Sequence, residues 1–451
     1  MKLIHINAEM RKDPNNWSPV SWTAACCLIG GILCLFIFQL FIADINSKVA
    51  VLFSDSAGQQ DELKLTSQPA VARMIYVAGF FLIMLASSFF MIKTWYKVGI
   101  GYKIALGLMQ IWMAIHAISA YSSGPKPSLA EICGSRGPVT WIACGIVFIG
   151  ISPIGWQLAK KVFLVLSNVA AAIVIAKITL SGNIFSNEYQ AGRFFIGYIP
   201  LLMWTVPLLI YDTSIAGNSA LIIFPLFVLY ISAILSGNRS WIVVMALHTI
   251  IIFFKYGKTV LRRPGISYII LLVMVLLGWV VTEVYGEKIE SVVSFLSDSW
   301  NEDTRTEQYR QFLSQVSFTD LLIGKGPRAT WFYWGREYEG IDGYFTQLAF
   351  NGGFILLATY IILIVWPSLR LLQKHPSWQY ATPAIVLVFW TLAMMGLSTF
   401  TGVKASYEHA VICILAGRCY YLSRSKSNLL SLDFNQRIIP RPSQHPAYRL
   451  A

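Results

Sequence analysis

The amino-acid sequence predicts an all-α polytopic membrane protein with about twelve transmembrane helices and one large helical loop. Hydrophobic residues make up 56% of the 451 residues and charged residues only 13%, whereas a soluble globular chain carries about 25% charged residues. Apolar runs near the ~20 residues that cross a bilayer recur along almost the whole chain. One polar stretch, 285–342, interrupts them and holds 16 of the 57 Lys, Arg, Asp and Glu residues.

The predicted spans follow one another with short connections except at this polar stretch. They lie at 21–45, 73–92, 99–120, 138–157, 161–180, 194–211, 216–236, 241–255, 266–284, 343–372, 381–402 and 405–422. The first run is longer than a signal-peptide core and lacks a clear small-residue cleavage site, so we interpret it as an uncleaved span. The chain then divides into residues 1–284 with nine spans, the large loop 285–342, residues 343–422 with three spans, and a polar tail at 423–451.

Basic residues in the short loops predict the orientation of the chain. They all fall on one side of the predicted spans: Lys93, Lys97, Lys160, Lys161, Lys255, Lys258, Arg262, Arg263, Arg370, Lys374, Arg424 and Lys426. The positive-inside rule makes that side cytoplasmic. Both termini are therefore expected in the cytoplasm, and the outward loops are expected at 46–72, 121–137, 181–193, 237–240, 285–342 and 403–404. Because many basic residues flank spans, the net charge of +13 does not indicate nucleic-acid binding.

Cysteine and histidine spacing gives no metal-binding pattern in the sequence. No CxxC pair occurs, and most cysteines lie in apolar runs, where Cys acts as a small hydrophobe. These are Cys26, Cys27, Cys34, Cys144, Cys413 and Cys419. His116, His248 and His409 lie in predicted spans without ligand spacing to one another. His409 follows Glu408 and either lines a cavity or packs among its neighbours, and the packed position is favoured. We therefore expect no metal site.

Several arginines lie on the predicted outer face, against the charge bias that orients the chain. They are Arg193, Arg239, Arg305, Arg310, Arg328 and Arg336. A guanidinium fork binds phosphate or pyrophosphate oxygens bidentately, so such a set favours a pyrophosphate ligand at the membrane surface. Solvated arginines paired with Glu188, Glu302 or Glu337 are the alternative. Arg239 lies in a four-residue hairpin, where a charge near the hydrocarbon is costly without a partner or ligand; snorkelling to lipid phosphate is its alternative.

The polar stretch contains a predicted helix start. Thr304 and Glu307 fit a capping box, which places Arg305 in the first helical turn. That turn favours anions through its free amides and the helix dipole, so an anionic ligand would explain a cation there. Pairing of Arg305 with Asp303 or Glu302 is the alternative. The apolar face of the helix is expected to comprise Tyr309, Phe312, Leu313 and Val316.

Three further features of the polar stretch each allow two interpretations. Residues 322–328 form a glycine turn that matches neither a P-loop nor a dinucleotide fingerprint, and a structural turn is favoured. Asp342 is either a general base for a hydroxyl or a helix N-cap. The aromatic run 331–334 either stacks on sugar faces or belongs to an interfacial belt.

In this order and spacing, the motifs resemble the O-antigen polymerase and O-antigen ligase superfamily. A hairpin with G-x-R-[SG] opens a predicted span at 237–240. The large loop then carries [ST]-R-x-x-x-[WY] at 304–309 and a glycine turn at 324–327. It ends in [HD]-x-x-[YF] at 342–345, with Gly353 a few residues on. The match covers about residues 230 to 360, and the number of predicted spans matches over the whole chain.

The resemblance implies a GT-C-like glycosyltransferase in the bacterial inner membrane, with its site at the periplasmic face. Such enzymes transfer a glycan from undecaprenyl pyrophosphate to an acceptor hydroxyl, without metal or other cofactor. Carried over by motif, Arg239 and Arg305 bind the pyrophosphate and Asp342 activates the acceptor. The remaining expected substrate contacts are Arg193, Arg310, Arg328, Tyr309 and Tyr344.

The resemblance leaves more than one function open. Ligases of the superfamily usually carry histidine at the Asp342 position, so a polymerase is favoured over a ligase. A polymerase joins lipid-linked repeat units in the bilayer, and a chain-length regulator protein is a possible partner. A transporter is the alternative from another class; it would place polar groups at the bilayer midplane, often in broken helices, whereas the middles of these spans are nearly free of charge.

Overall fold

The computed structural model describes residues 19–53, 70–122, 143–180, 188–203, 220–236, 241–250, 304–326, 329–333, 335–338, 341, 343–374, 384–388 and 405–424. The helices in the first part of the chain are α1 (Pro19–Phe53), α2 (Ala70–Thr94), α3 (Ile100–Ser122), α4 (Val147–Ile151), α5 (Pro153–Leu180), α6 (Glu188–Leu202), α7 (Ala220–Leu235) and α8 (Trp241–Ile250). Short 3₁₀ turns precede α3 and α4 at Trp95–Lys97 and Ala143–Ile146.

The second part of the chain adds both helices and a hairpin. Its elements are α9 (Thr304–Gln315), α10 (Phe318–Ile323), β1 (Trp331–Tyr333), β2 (Arg336–Tyr338), α11 (Tyr344–Tyr360), α12 (Trp366–Lys374) and α13 (Ala405–Arg424). A π-helical turn at Ile361–Val365 joins α11 to α12. The helical 384–388 segment lies between α12 and α13.

The predicted mostly helical architecture is confirmed, and its apolar helices are compatible with a membrane protein. Among the described residues, four helical stretches are long and apolar enough to cross a bilayer: Trp22–Phe41, Ala70–Lys97, Pro153–Thr179 and Tyr344–Lys374. Large apolar side chains such as Met74, Ile92, Ile100 and Ile118 are more than 70% exposed on their helices, as lipid-facing residues are. The count of twelve spans stays a prediction, because the 266–284 span lies outside the described residues.

One predicted boundary between spans is wrong. The sequence predicts two spans, 138–157 and 161–180, with Lys160 and Lys161 at their junction. In the structure a single helix, α5, contains both lysines. The chain turns at Ser152 instead. The hydroxyl of Ser152 accepts from the backbone N–H of Gly155 at 3.3 Å, and Pro153 occupies the first helical position. A Ser cap followed by Pro at N1 is a helix-start signal that hydropathy alone overlooks.

Three helix ends that carry predicted cytoplasmic basic residues meet at one end of the bundle. The ammonium of Lys374 donates to the carbonyl of Ser423 at 2.8 Å. At the start of α3, the N–H of Gly99 donates to the hydroxyl of Tyr420 at 2.8 Å. The ring of Tyr102 lies 4.4 Å from that of Tyr420. The ends of α12 and α13 and the start of α3 therefore share a side, as the orientation argument requires; which side is cytoplasmic stays a prediction.

The segment between Thr304 and Ile341, here called the loop layer, is not wholly helical as predicted. Strands β1 and β2 form an antiparallel hairpin with Phe332 opposite Glu337. Side chains along β1 alternate buried, exposed, buried, because successive strand residues point to opposite faces. The core of the loop layer consists of Phe312, Val316, Ala329, Trp331, Tyr333 and Ile341, together with Phe350 from α11. The loop layer therefore shares its core with the first turns of α11.

Candidate functional site

Two side-chain contacts connect α9 with the first two turns of α11. The hydroxyl of Tyr309 lies 3.4 Å from that of Thr346, 37 residues further along the chain. One turn on, the ring of Phe312 packs edge-on against that of Phe350 at 5.2 Å. Arg305 lies in the first turn of α9 as predicted, and its position precedes Tyr309 by four residues, which places both on one helical face. The contact thus brings the turn that contains Arg305 to the start of α11.

One buried glutamine holds the backbone on both sides of position 342. The side-chain oxygen of Gln347 accepts from the N–H of Ile341 at 2.7 Å, and its backbone N–H donates to the carbonyl of Gly343 at 3.0 Å. Its amide nitrogen donates to the side-chain oxygen of Asn351 at 2.9 Å. Gly343, with φ 130°, occupies the N-cap of α11. The structure therefore assigns the cap to Gly343 and not to Asp342, which itself lies outside the described residues.

The glycine turn docks into a break in α11. Gly353 has φ 69° and ψ −171°, a conformation that interrupts the helix. The N–H of Lys325 donates to the carbonyl of Phe350 at 2.7 Å, and that of Gly326 donates to the carbonyl of Asn351 at 2.9 Å. The indole N–H of Trp112 donates to the carbonyl of Gly352 at 2.6 Å. Carbonyls freed by a break in a membrane helix need such partners, because lipid offers none.

Close backbone approach explains the glycines on both sides of this contact. A Cβ added to Gly324 would lie 2.5 Å from the backbone nitrogen of Gly353, and one added to Gly353 would meet the backbone of Leu322 and Ile323. Gly324 itself has φ 92°. The interpretation of residues 322–328 as a structural turn is therefore confirmed for the described residues of this turn, 322–326, and the turn connects the loop layer to the membrane helices.

Arg310 forms an ion pair within its own helix. Its guanidinium lies 2.6 Å from the carboxylate of Glu307, and the arginine side chain is 76% exposed. The side-chain amide of Gln311 donates to the same carboxylate at 2.7 Å. The hydrogen bonds from Arg310 and Gln311 hold the pKa of Glu307 below its usual value, and the pKa of Arg310 is raised. This ion pair matches the alternative interpretation, in which Arg310 is a solvated arginine paired with an acidic side chain. A contact between Arg310 and substrate stays a prediction.

The predicted apolar face of α9 is correct for its inner residues and wrong for Leu313. Phe312 and Val316 are buried in the core of the loop layer, and Tyr309 is half-buried, but Leu313 is 58% exposed. Leu313 directly follows Phe312 and so lies about 100° away around the helix. Within the loop layer, the capping box that the structure shows is formed by Ser317 and Asp320 at the start of α10.

The aromatic run is structural in its described part. Trp331 and Tyr333 are 3% and 8% exposed, and the Trp331 ring lies 5.3 Å from that of Phe312. Neither residue presents a face to a sugar or to the bilayer interface. Phe332 points away from the core and is exposed.

Tyr344 enters a buried polar cluster that the sequence did not predict. It is 3% exposed, and its ring packs against that of Tyr360 at 5.4 Å. Tyr360 in turn lies 6.3 Å from the ring of His409, and Glu408 is fully buried beside it. The packed position expected for His409 is confirmed. Tyr344 is the buried first residue of α11, so a substrate would reach it only if its neighbours moved.

The remaining predicted site residues are described in part or not at all. Arg239 and Arg328 lie outside the described residues. Arg193 and Arg305 are described by their helical backbone, in α6 and α9. The predicted outward loop 181–193 is therefore too long at its end, because residues 188–193, including Arg193, belong to helix α6. The structure therefore brings together the regions around Arg305, Tyr309 and the start of α11.

Comparison of the chain with protein-family models, curated proteins and solved structures finds no match.

Proposed function

We propose that this protein is a polymerase that joins undecaprenyl-pyrophosphate-linked repeat units at the periplasmic face of the bacterial inner membrane. The observation that carries the proposal is the pair of side-chain contacts between α9 and α11. Tyr309 contacts Thr346 near the start of α11, and Arg305 lies one turn before Tyr309 on α9. We expect Asp342, which precedes the cap residue Gly343 of α11, to lie near that turn.

In the proposed reaction, an acceptor hydroxyl of one repeat unit attacks the anomeric carbon of a second, lipid-linked glycan. The bond between that carbon and the pyrophosphate oxygen breaks, and the pyrophosphate leaves with the bonding electrons. Arg305 and Arg239 neutralise the charge that develops on its oxygens, where fixed donors are most effective. Asp342 takes the hydroxyl proton.

The loop layer supplies the rigidity that such a site needs. Positioned groups lose much of their effect when they shift by about 1 Å. Residues on both sides of position 342 are held by Gln347, and α9 is fixed by the shared core through Phe312 and Phe350. The docked glycine turn adds a third attachment to α11.

Deletion of the gene tests the class of function. Loss of a polymerase is expected to leave lipid A core capped by a single repeat unit, because ligation still operates. Loss of a ligase would leave bare core and strand polymer on the undecaprenyl carrier. Bare core with carrier-bound polymer would therefore refute the proposal.

Complementation with arginine variants tests the site. Arg305→Ala should lose roughly 2–4 kcal/mol of transition-state stabilisation, a loss of about 10²–10³ in rate. Arg305→Lys should restore only part of it, since lysine lacks the guanidinium fork. Lys325→Gln is the matched control. It also removes one positive charge from the loop layer, but Lys325 pairs with Asp320 at 3.3 Å and has no assigned role in the reaction. Long polymer from the Arg305→Ala variant at normal expression would contradict the assigned role.

A transporter of lipid-linked sugars is the second candidate, and the break at Gly353 favours it. Discontinuous membrane helices often bind substrates or ions through freed carbonyls. Here, however, the carbonyls of Phe350, Asn351 and Gly352 accept from Lys325, Gly326 and Trp112, so the break is used to hold the loop layer. Deletion of a flippase would leave core without any repeat unit, which separates it from the polymerase.

A further inference from the structure

Three metal-ligating side chains converge in the interior of the helix bundle. One ligand atom from each of Cys144, His409 and Cys413 lies within 4.8 Å of the other two, and all three residues are buried. The Nε2 atom of His409 lies 3.8 Å from the sulfur of Cys144. These residues play no part in the proposed glycosyl transfer.

Local structure explains why the three meet. His409 and Cys413 are four residues apart on α13, so they lie one above the other on one helical face. Cys144 precedes α4, which runs against that face. Gly150 of α4 and Gly417 of α13 lie where an added Cβ would meet the backbone of the facing helix. Small residues allow such close backbone approach in membrane bundles, so a side chain as short as cysteine reaches across.

We propose that Cys144, His409 and Cys413 bind a zinc ion that links α13 to the segment before α4. Zinc binds thiolate at about 2.3 Å and imidazole at about 2.0–2.1 Å. In a tetrahedron these bond lengths place sulfur about 3.6 Å from nitrogen and about 3.8 Å from sulfur. The observed 3.8 Å between Cys144 and His409 therefore needs little adjustment.

The charge balance of the ligand set favours a divalent ion such as zinc over a monovalent thiophilic ion. Binding of Zn²⁺ displaces the two thiol protons, and two thiolates with a neutral imidazole then cancel the charge of the ion. A neutral centre suits the interior of a membrane bundle, where an isolated charge is costly. A monovalent ion such as Cu⁺ in the same ligand set would leave one negative charge. Three protein ligands leave the fourth zinc position to water or another donor.

The ring of Tyr360 packs near that of His409, with centroids 6.3 Å apart and planes inclined by 38°. Tyr360 also contacts Tyr344 at the start of α11. The proposed ion would therefore fix α13 beneath the candidate site and would act on stability without touching substrate.

Metal analysis of the full-length protein tests the proposal. Protein from cells grown with added zinc and purified in detergent should hold about one zinc ion per chain. Cys144→Ser and Cys413→Ser should each lose most of it. Cys419→Ser is the matched control, since Cys419 is a buried cysteine of the same helix outside the cluster, and it should retain the ion. Zinc that persists in the Cys144→Ser protein would be adventitious and would overturn the assignment.

Cobalt substitution provides a readout that needs no variant. Wild-type protein from cells grown with cobalt in place of zinc should show thiolate-to-cobalt charge-transfer absorption and the intense visible bands of tetrahedral cobalt. Absence of these bands in folded protein would overturn the proposal even where the serine variants fail to fold. A disulfide between Cys144 and Cys413, found by mass spectrometry of alkylated wild-type protein, would also overturn it.

Discussion

Replacement of Gly353 by alanine should release the loop layer from α11. Its φ and ψ lie in a region that is essentially open only to glycine. An added Cβ would also meet the backbone of Leu322 and Ile323. Because backbone atoms cannot rotate aside, the glycine turn has to move away from α11.

The free-energy cost follows from the contacts that this movement breaks. Two backbone hydrogen bonds, from Lys325 to Phe350 and from Gly326 to Asn351, would be lost. At about 0.5–1.5 kcal/mol each they contribute ~1–3 kcal/mol. If the turn stayed docked instead, the strained conformation would cost a similar ~1–3 kcal/mol. The docked state should therefore weaken by about 1–3 kcal/mol, and its opening equilibrium should rise about 5- to 150-fold.

Hydrogen exchange of the Lys325 and Gly326 amides measures this opening directly. Two control variants separate the effect of close backbone approach from the effects of a positive φ and of a glycine-to-alanine change as such. Gly335→Ala has a positive φ of 75° but nothing within 4 Å, and Gly107→Ala lies in α3 with open space around it. Neither should deprotect the two amides. If Gly353→Ala exchanged no faster there than these controls, the docking would not depend on close backbone approach.

The remaining predictions concern the loop layer and its attachment. Phe312→Ala should destabilise the layer by about 3–5 kcal/mol, because a fully buried ring leaves a cavity, whereas exposed Leu313→Ala should change its exchange protection little; equal effects would contradict the assigned core. Gln347→Leu should deprive two buried groups of their partner, at about 1–3 kcal/mol each, and should reduce polymer synthesis without reducing expression; unchanged chain length would refute its positioning role. Because Arg310 holds the pKa of Glu307 below its usual 4.5, the pair stabilises α9 above the unfolded-state pKa and is lost as pH falls through the lower folded-state value. Exchange of α9, corrected for intrinsic rates, should therefore rise on acidification below about pH 4.5 in the wild type and less so in Glu307→Gln.

Local signals in the sequence predicted much of the helical architecture. Apolar runs predicted α2, α3 and α13 within a few residues of their observed ends, because lipid forces each span to satisfy its own backbone hydrogen bonds. Helix α1 continues beyond its predicted end at 45, to Phe53. The start of α9 at Thr304 and the glycine turn also follow from local chemistry. The boundary at Ser152 was missed although its signal, a Ser followed by Pro, is equally local.

Contacts between distant residues could not be predicted in this way. Cys144 and His409 are 265 residues apart, and the four-residue spacing of His409 and Cys413 does not by itself predict a metal site. Their meeting depends on how α4 packs against α13, which one sequence does not reveal. The hairpin was missed for a different reason, since strands of three residues carry almost no periodic signal.

A chain of hydrogen bonds connects the break in α11 with position 342. The N–H of Gly326 binds the carbonyl of Asn351, whose side chain accepts from Gln347, and Gln347 accepts from the N–H of Ile341. The α11 residues of this chain, Gln347 and Asn351, lie within two turns of Gly353. A straight helix at this point would leave no free carbonyl for the turn and would move Asn351 away from the loop. We therefore expect a substitution of Gly353 to disturb the backbone next to the proposed base, although Gly353 is not expected to touch substrate.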